Sequence, residues 1–322
     1  MRQRILGKSG FSVGELGHGL WGMSGWTGSE DTESLNALRH SVENGCTFFD
    51  SAYAYGAGHS DALLGQTARQ YADKSLVLAS KIPPADGKWP SDPEKLLHAI
   101  FPRDHVFAIA EKIRTAFGRP VDLLQFHVWE DAWANEAEWQ DTVAELKAKN
   151  IIKAFGLSLN RWQPNNGIKA IETGLIESVQ VIYNVFDQAP EDKLFPACRA
   201  HNVGVIARVP LDEGSLGGKM TLETTFPPGD WRARYFGPKN LRKTIEHVDA
   251  LKQVLPEGMS LPELAIRFIL SEPAVTTLIP GMRKPEHVKA NQSYADKGPL
   301  PAELIKALRP HRWDRTPAEW SD

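Results

Sequence analysis

What most limits the fold of this 322-residue chain is a recurrence. Short apolar runs return eight times, with helical patterns between them. The runs read GELGHGLW (14–21), TFFDSA (47–52), SLVLASK (75–81), VDLLQFH (121–127), IKAFGLS (152–158), ESVQVIY (177–183), VGVIARV (203–209) and VTTLIPG (275–281). They are short, rich in β-forming residues and mostly not strictly alternating, as parallel strands buried on both faces require. Segments such as TESLNALRHSVENG, SDALLGQTARQYA and HVFAIAEKIRTAFG read as the helices between them. Ser60 suits the N-cap of the second, and glycine closes several others. Eight strand–helix repeats predict an α/β protein of the (β/α)₈ TIM-barrel class, one domain over residues 1–322. A doubly wound sheet with a second domain is the competing fold, but neither a linker nor a composition break supports it. RILGKSGFSVG (4–14) reads as a short N-terminal β-hairpin ahead of the barrel. The C-terminal tail, 300–322, is expected to lie across the outside of the barrel or its rim.

Composition narrows the function. A net charge of −3 with 24% charged residues gives no global attraction for nucleic acid or an anionic membrane. No run approaches a membrane span, and MRQRILGKSG lacks the apolar core of a signal peptide. Cys46 and Cys198 lie far apart with no metal-ligand spacing, so a reduced, cytoplasmic protein without metal is expected, a long-range disulfide being the less favoured alternative. The ten tryptophans are many, and Trp26, Trp129, Trp133, Trp139, Trp162 and Trp231 sit in polar company. That pattern suits an aromatic-rimmed cleft or helices packing on a barrel wall. Long loops at 82–95, 128–135 and 211–239 each follow a strand, which in a barrel places them at the C-terminal face where active sites form.

Four ionisable groups gather at that face. Asp50 ends the second run, Tyr55 follows five residues later, Lys81 ends the third and His127 ends the fourth. Singly each has an ordinary structural reading, a cap or a solvated charge. Together they suit acid catalysis at a carbonyl. A phenol of pKa about 10 needs help to release a proton, which a neighbouring ammonium held by a carboxylate supplies. Histidine would orient the carbonyl oxygen or share its proton. No nucleophile elbow and no histidine cluster favours hydrolysis or metal chemistry.

The hydride source has no GxGxxG fingerprint to hold it. SLGGK (215–219) suits a diphosphate, and IPGMRKPEHVKAN (279–291) brings Arg283 and Lys284 to a helix start, where phosphate binds readily. That clustering favours NADP(H), with NAD(H) possible. Ser158 and Gln180 suit a flat carboxamide, and Arg208 a ring or phosphate.

These segments closely resemble the aldo-keto reductase family. FFDSAYAYGAGHSDALLG (48–65), VLASK, DLLQFH, FGLS, SVQVIYN, GVIARVPLDEGSLGGK and IPGMRKPEHVKAN follow in that family's order over roughly residues 5–295. The resemblance implies a (β/α)₈ barrel that binds a nicotinamide dinucleotide without a separate domain. It makes Asp50, Tyr55, Lys81 and His127 the catalytic tetrad, with Tyr55 the proton donor. Ser158 and Gln180 resemble the carboxamide ligands, and Ser215, Leu216, Gly217 and Lys219 the loop over the diphosphate. Trp21 resembles the aromatic on the substrate side, and Trp129 and Trp231 are expected to share that pocket. This chain departs from the pattern at Leu159, where many members carry asparagine, so that contact is missing or moved to Asn160. Arg208 replaces a stacking aromatic. Gly281 and Met282 stand where lysine and serine are common, His287 in place of an arginine and Ala290 in place of a glutamate. Arg283 and Asn291 are left to hold the adenosine end. The expected activity is reduction of an aldehyde, ketone or sugar. An NAD(P)-dependent sugar or polyol dehydrogenase is the oxidative alternative, and a nicotinamide-sensing regulatory subunit the non-enzymic one. Oligomeric state is not legible.

Overall fold

The structure, a computed structural model, describes residues 1–25 and 28–316. Trp26 and the tail beyond Thr316 lie outside the described residues. Two strands form the expected hairpin, β1 (Gln3–Ile5) against β2 (Ser12–Gly14), antiparallel. Eight more follow: β3 (His18–Gly19), β4 (Phe48–Asp50), β5 (Val77–Ile82), β6 (Val121–Phe126), β7 (Ile152–Ser158), β8 (Ser178–Ile182), β9 (Gly204–Arg208) and β10 (Val275–Leu278). They pair in parallel in chain order. Bridges Leu16–Leu278 and Gly19–Gly281 bring the two edges together, with Gly17 N donating to Leu278 O at 2.8 Å. The result is the TIM barrel expected from the eight runs.

Period-two alternation sorts each strand into an inner and an outer set. Phe48, Val77, Ala79, Leu123, Ala154 and Ile206 form an apolar lower tier inside the barrel, joined from below by Leu6 and Val13 of the hairpin segment. Gly204 makes room for that plug, since a Cβ there would stand 2.5 Å from a methyl of Leu6. One step up each strand, the inward residues become polar: Asp50, Lys81, Gln125, Ser158, Gln180 and Arg208. Outward residues such as Phe49, Leu78, Leu124, Phe155 and Val179 pack beneath the helices.

Ser60 is not the cap expected. Helix His59–Gln70 starts from Gly58, whose φ of 94° glycine adopts without strain. The Ser60 hydroxyl lies instead 2.6 Å from that of Ser51. Among the described residues, no helix is long and apolar enough to cross a membrane.

Candidate active site

The polar tier converges on Asp50. Its Oδ1 pairs with Lys81 Nζ, and its Oδ2 accepts from the side-chain amides of Gln180 at 2.8 Å and Gln125 at 3.2 Å. Lys81 is fully buried and also donates to Ser51 O at 2.8 Å. A buried carboxylate with three donors and a buried ammonium with two acceptors is the condition under which such a pair is tolerated. Tyr55 follows a turn closed by its own N–H on Ala52 O at 2.9 Å, which folds the ring back over the strand ends. Lys81 Nζ lies 5.2 Å from the centroid of that ring. Residue 55 is half-buried as a whole, with its hydroxyl end inward. His127 meets the same ring edge-on at 5.9 Å.

The charges follow from this crowding. Burial opposes the Lys81 ammonium, but attraction from Asp50 and Tyr55 outweighs it and the pKa is raised. For Tyr55 burial dominates and raises the phenol, while Lys81 pulls it down, Asp50 pushes it up and Arg208 again lowers it. The ammonium therefore acts in the expected direction without bringing the phenol below its ordinary value. Burial, then repulsion from Lys81 and Arg208, holds His127 well below the usual imidazole range, so the ring is neutral. Its buried Nδ1 has no partner among the described residues. Burial and then the nearby Arg161 lower Arg208 to about 10, so it keeps its charge at neutral pH. Its Nη2 donates to Leu159 O at 3.0 Å, while its buried Nε has no partner among the described residues.

The remaining expected residues divide. Ser158 and Gln180 sit side by side in register at the tops of β7 and β8, both buried. The Gln180 amide hydrogens go to Asp50 and Gln125, leaving its carbonyl oxygen for a ligand. Asn160 does not replace the missing contact: its amide nitrogen is 2.7 Å from Glu130 and 2.9 Å from Trp129 O, tying loops together. In the loop after β9, Leu216 is a core anchor, Ser215 Oγ donates to Asp212 at 2.6 Å, and Lys219 is exposed beyond Gly217. Gly281 pairs with Gly19 at the barrel seam. Arg283 lays its guanidinium over Gly28, where a Cβ would be 3.3 Å away. Burial lowers the pKa of His287, Glu286 opposes that, and Lys284, Arg283 and Lys219 each lower it further. Asn291 is buried on the same helix, Pro285–Asp296.

Trp21 and Trp231 meet edge-to-face at 5.8 Å on the rim. Trp129 does not join them. It is fully buried outside the barrel, 5.4 Å from Trp139, 5.7 Å from Trp133 and 6.5 Å from Phe126. The chain turns outward after His127, and an indole set against three aromatic rings gains more from the core than from a wet rim. Two residues were missed. Gln125 lies two before His127 and therefore on the same inward face, a signal the alternation carried. Trp89 lies edge-on to His127 at 5.6 Å and is exposed at the mouth. Nothing local in its loop sequence marks that approach.

Unpartnered polar atoms on His127 and Arg208, a polar tier beneath the mouth, and cations near a helix start fit an extended, phosphate-bearing dinucleotide lying across the mouth. Residues 15–312 match the family model described as the aldo/keto reductase family. The oxidoreductase YqkF of Bacillus subtilis is 29% identical over 323 residues, covering 97% of this chain and 96% of its own. The aldo-keto reductase YhdN of the same organism is 26% identical, with 90% and 87% covered. Among solved structures, the holo form of an aldo-keto reductase from Bacillus halodurans superposes with a TM-score of 0.78 at 24% identity, covering 100% of both chains. The chain thus belongs to the aldo/keto reductase family and is an NAD(P)H-dependent oxidoreductase of carbonyl substrates.

Proposed function

We propose that this enzyme reduces an aldehyde, ketone or sugar carbonyl with NADPH, Tyr55 donating the proton. The observation that carries the reading is the buried ammonium of Lys81, set between Asp50 and the ring of Tyr55. Burial keeps the phenol protonated at neutral pH, as an acid must be. The Lys81 charge then stabilises the phenolate that remains when the proton leaves. Asp50, itself steadied by Gln125 and Gln180, holds Lys81 in that place. Neutral His127 orients the carbonyl oxygen without adding a competing cation. Bound NADPH would supply the hydride. Ser158 and the Gln180 carbonyl would meet its carboxamide, Arg208 its ring or a phosphate, and residues 215–219 its diphosphate. Arg283, Lys284 and Lys219, with neutral His287 beside them as a hydrogen-bonding group, give a positive surface for the 2′-phosphate, which favours NADPH over NADH. Trp21, Trp89 and Trp231 would form the apolar side of the substrate pocket.

The test is Tyr55→Phe, with initial rates measured in both directions using each of the four nicotinamide dinucleotides. Dinucleotide affinity should stay within about twofold while turnover falls roughly 10²- to 10⁴-fold, the range expected for loss of a general acid. Undiminished turnover removes Tyr55 from that role. Faster rates from alcohol to carbonyl at matched saturation would favour the sugar or polyol dehydrogenase instead.

A further inference from the structure

The segment after the last helix sends one charged side chain deep into the rim. Arg315 is only 3% exposed. It grips Asp187, which follows β8, through Nη2 and through Nε at 3.2 Å. The same Nη2 reaches Asp212, which follows β9, at 2.7 Å, and Nη1 donates to Tyr235 Oη at 3.2 Å. Trp162 and Trp313 lie against the guanidinium at 5.1 and 4.8 Å. One buried cation therefore joins the loops of two adjacent strands to a third element from the 211–239 insertion. Arg315 lies outside the residues matched by the family model, which end at 312.

The backbone beside this clasp is strained. Val209, Asp212 and Glu213 have φ of 56°, 45° and 56°, followed by Gly214 at 107°. Non-glycine residues rarely adopt such angles, and a β-branched valine least of all. Each is restrained from outside. Val209 O accepts from Asn184 Nδ2 at 3.1 Å, and Asn184 also donates to Asp187 at 2.9 Å. Glu213 is paired with Arg161 at 2.7 Å. Asp212 holds Ser215 at 2.6 Å on its second oxygen. The path from Arg315 to the diphosphate loop thus runs through Asp212 to Ser215 and Leu216.

We propose that Arg315 is a positioning residue for the dinucleotide: it clamps the strained 209–214 turn, and the turn sets the loop 215–219. This rests on the reading of 215–219 as a diphosphate contact. Among the described residues, no hydrogen bond, ion pair or ring contact links Arg315 to Tyr55, Lys81 or His127, so its removal should act on cofactor binding and leave the chemical step alone. Without it, two buried carboxylates face each other uncompensated and the turn relaxes toward ordinary angles.

The experiment measures NADPH affinity by tryptophan-fluorescence quenching, kcat at saturating NADPH, and hydrogen exchange of the free enzyme. Arg315→Met should raise the Kd at least tenfold, leave saturated kcat within about twofold, and speed exchange across 209–219. Unchanged Kd, or a fall in kcat at unchanged Kd, overturns the proposal. If Arg315→Met does not fold, the variant that also carries Asp187→Asn and Asp212→Asn removes the unpaired charges. It should fold and still bind weakly, and wild-type affinity there overturns the proposal. Should the wild-type protein bind no nicotinamide dinucleotide, the functional reading fails. Exchange then judges the clamp alone: unchanged exchange refutes it, and faster exchange supports it without the cofactor role.

Discussion

Replacing Lys81 with methionine takes the ammonium out of the barrel and leaves a side chain of similar length. Asp50, 2% exposed, is then a buried carboxylate without its cation. Losing one partner of a buried pair costs about 3–5 kcal/mol. Here the amides of Gln180 and Gln125 remain at 2.8 and 3.2 Å, which places the loss near the low end, about 3 kcal/mol. For a chain of 322 residues, at about 2.1 cal/mol/K of unfolding entropy per residue, that is a fall in Tm of roughly 4–5 °C. Activity falls more steeply, because burial and Asp50 then raise the Tyr55 phenol without Lys81 to oppose them. The Lys81 pKa is raised in the folded state, so its contribution is complete at neutral pH and is lost only as pH climbs through that raised value. The Tm difference should therefore be flat from about pH 6 to 9. The assay is thermal unfolding of wild type, Lys81→Met and Lys81→Met with Asp50→Asn. The double variant should regain most of the lost Tm and none of the turnover. A single variant melting within about 2 °C of wild type, or a double variant melting below the single, refutes the account of the pair.

Trp129→Ala should destabilise by about 3–5 kcal/mol and leave KM for the carbonyl substrate unchanged, whereas Trp89→Ala should raise that KM with little change in stability. Urea unfolding beside steady-state kinetics separates them, and the opposite pattern would reverse the two assignments. Asp61 is buried behind Lys81, with Ser80 donating to it at 2.8 Å, and burial raises it to about 6 from 3.8. A raised carboxyl stabilises the fold most at low pH and loses that contribution as pH rises through the folded value. Between about pH 4 and 7 wild type should lose on the order of 3 kcal/mol relative to Asp61→Asn. Parallel urea midpoints over that range would contradict it.

Architecture was legible because each barrel strand is a short apolar run bounded by turn residues, and the hairpin by glycines around KSG. The polar tier was partly legible: Asp50, Lys81 and His127 are ionisable residues ending apolar runs, where core packing gives no reason for them. Gln125 was overlooked because it lies inside a run, although its spacing from His127 fixed its face. Trp129 misled because a tryptophan next to polar residues reads alike on a rim and under a helix. The partner that decides between them, Trp139, comes from another element, the helix Ala137–Ala148. Arg315 was illegible for a similar reason. Its partners lie 128 and 103 residues earlier, and nothing in RWDRTP says which arginine turns inward.

The hairpin that stoppers the base has a consequence for the ammonium above it. Leu6 and Val13 complete an oily floor, and Arg4 laces β1 to the far side through Leu270 O at 3.0 Å. Lys81 can then be wetted from one direction, the open mouth. A molecule settling there removes the remaining solvent, and the fields of Lys81, Asp50 and Arg208 grow as the local dielectric falls. Occupancy itself switches the pocket from a screened environment to a strongly polarising one, with no hinge or rotation required.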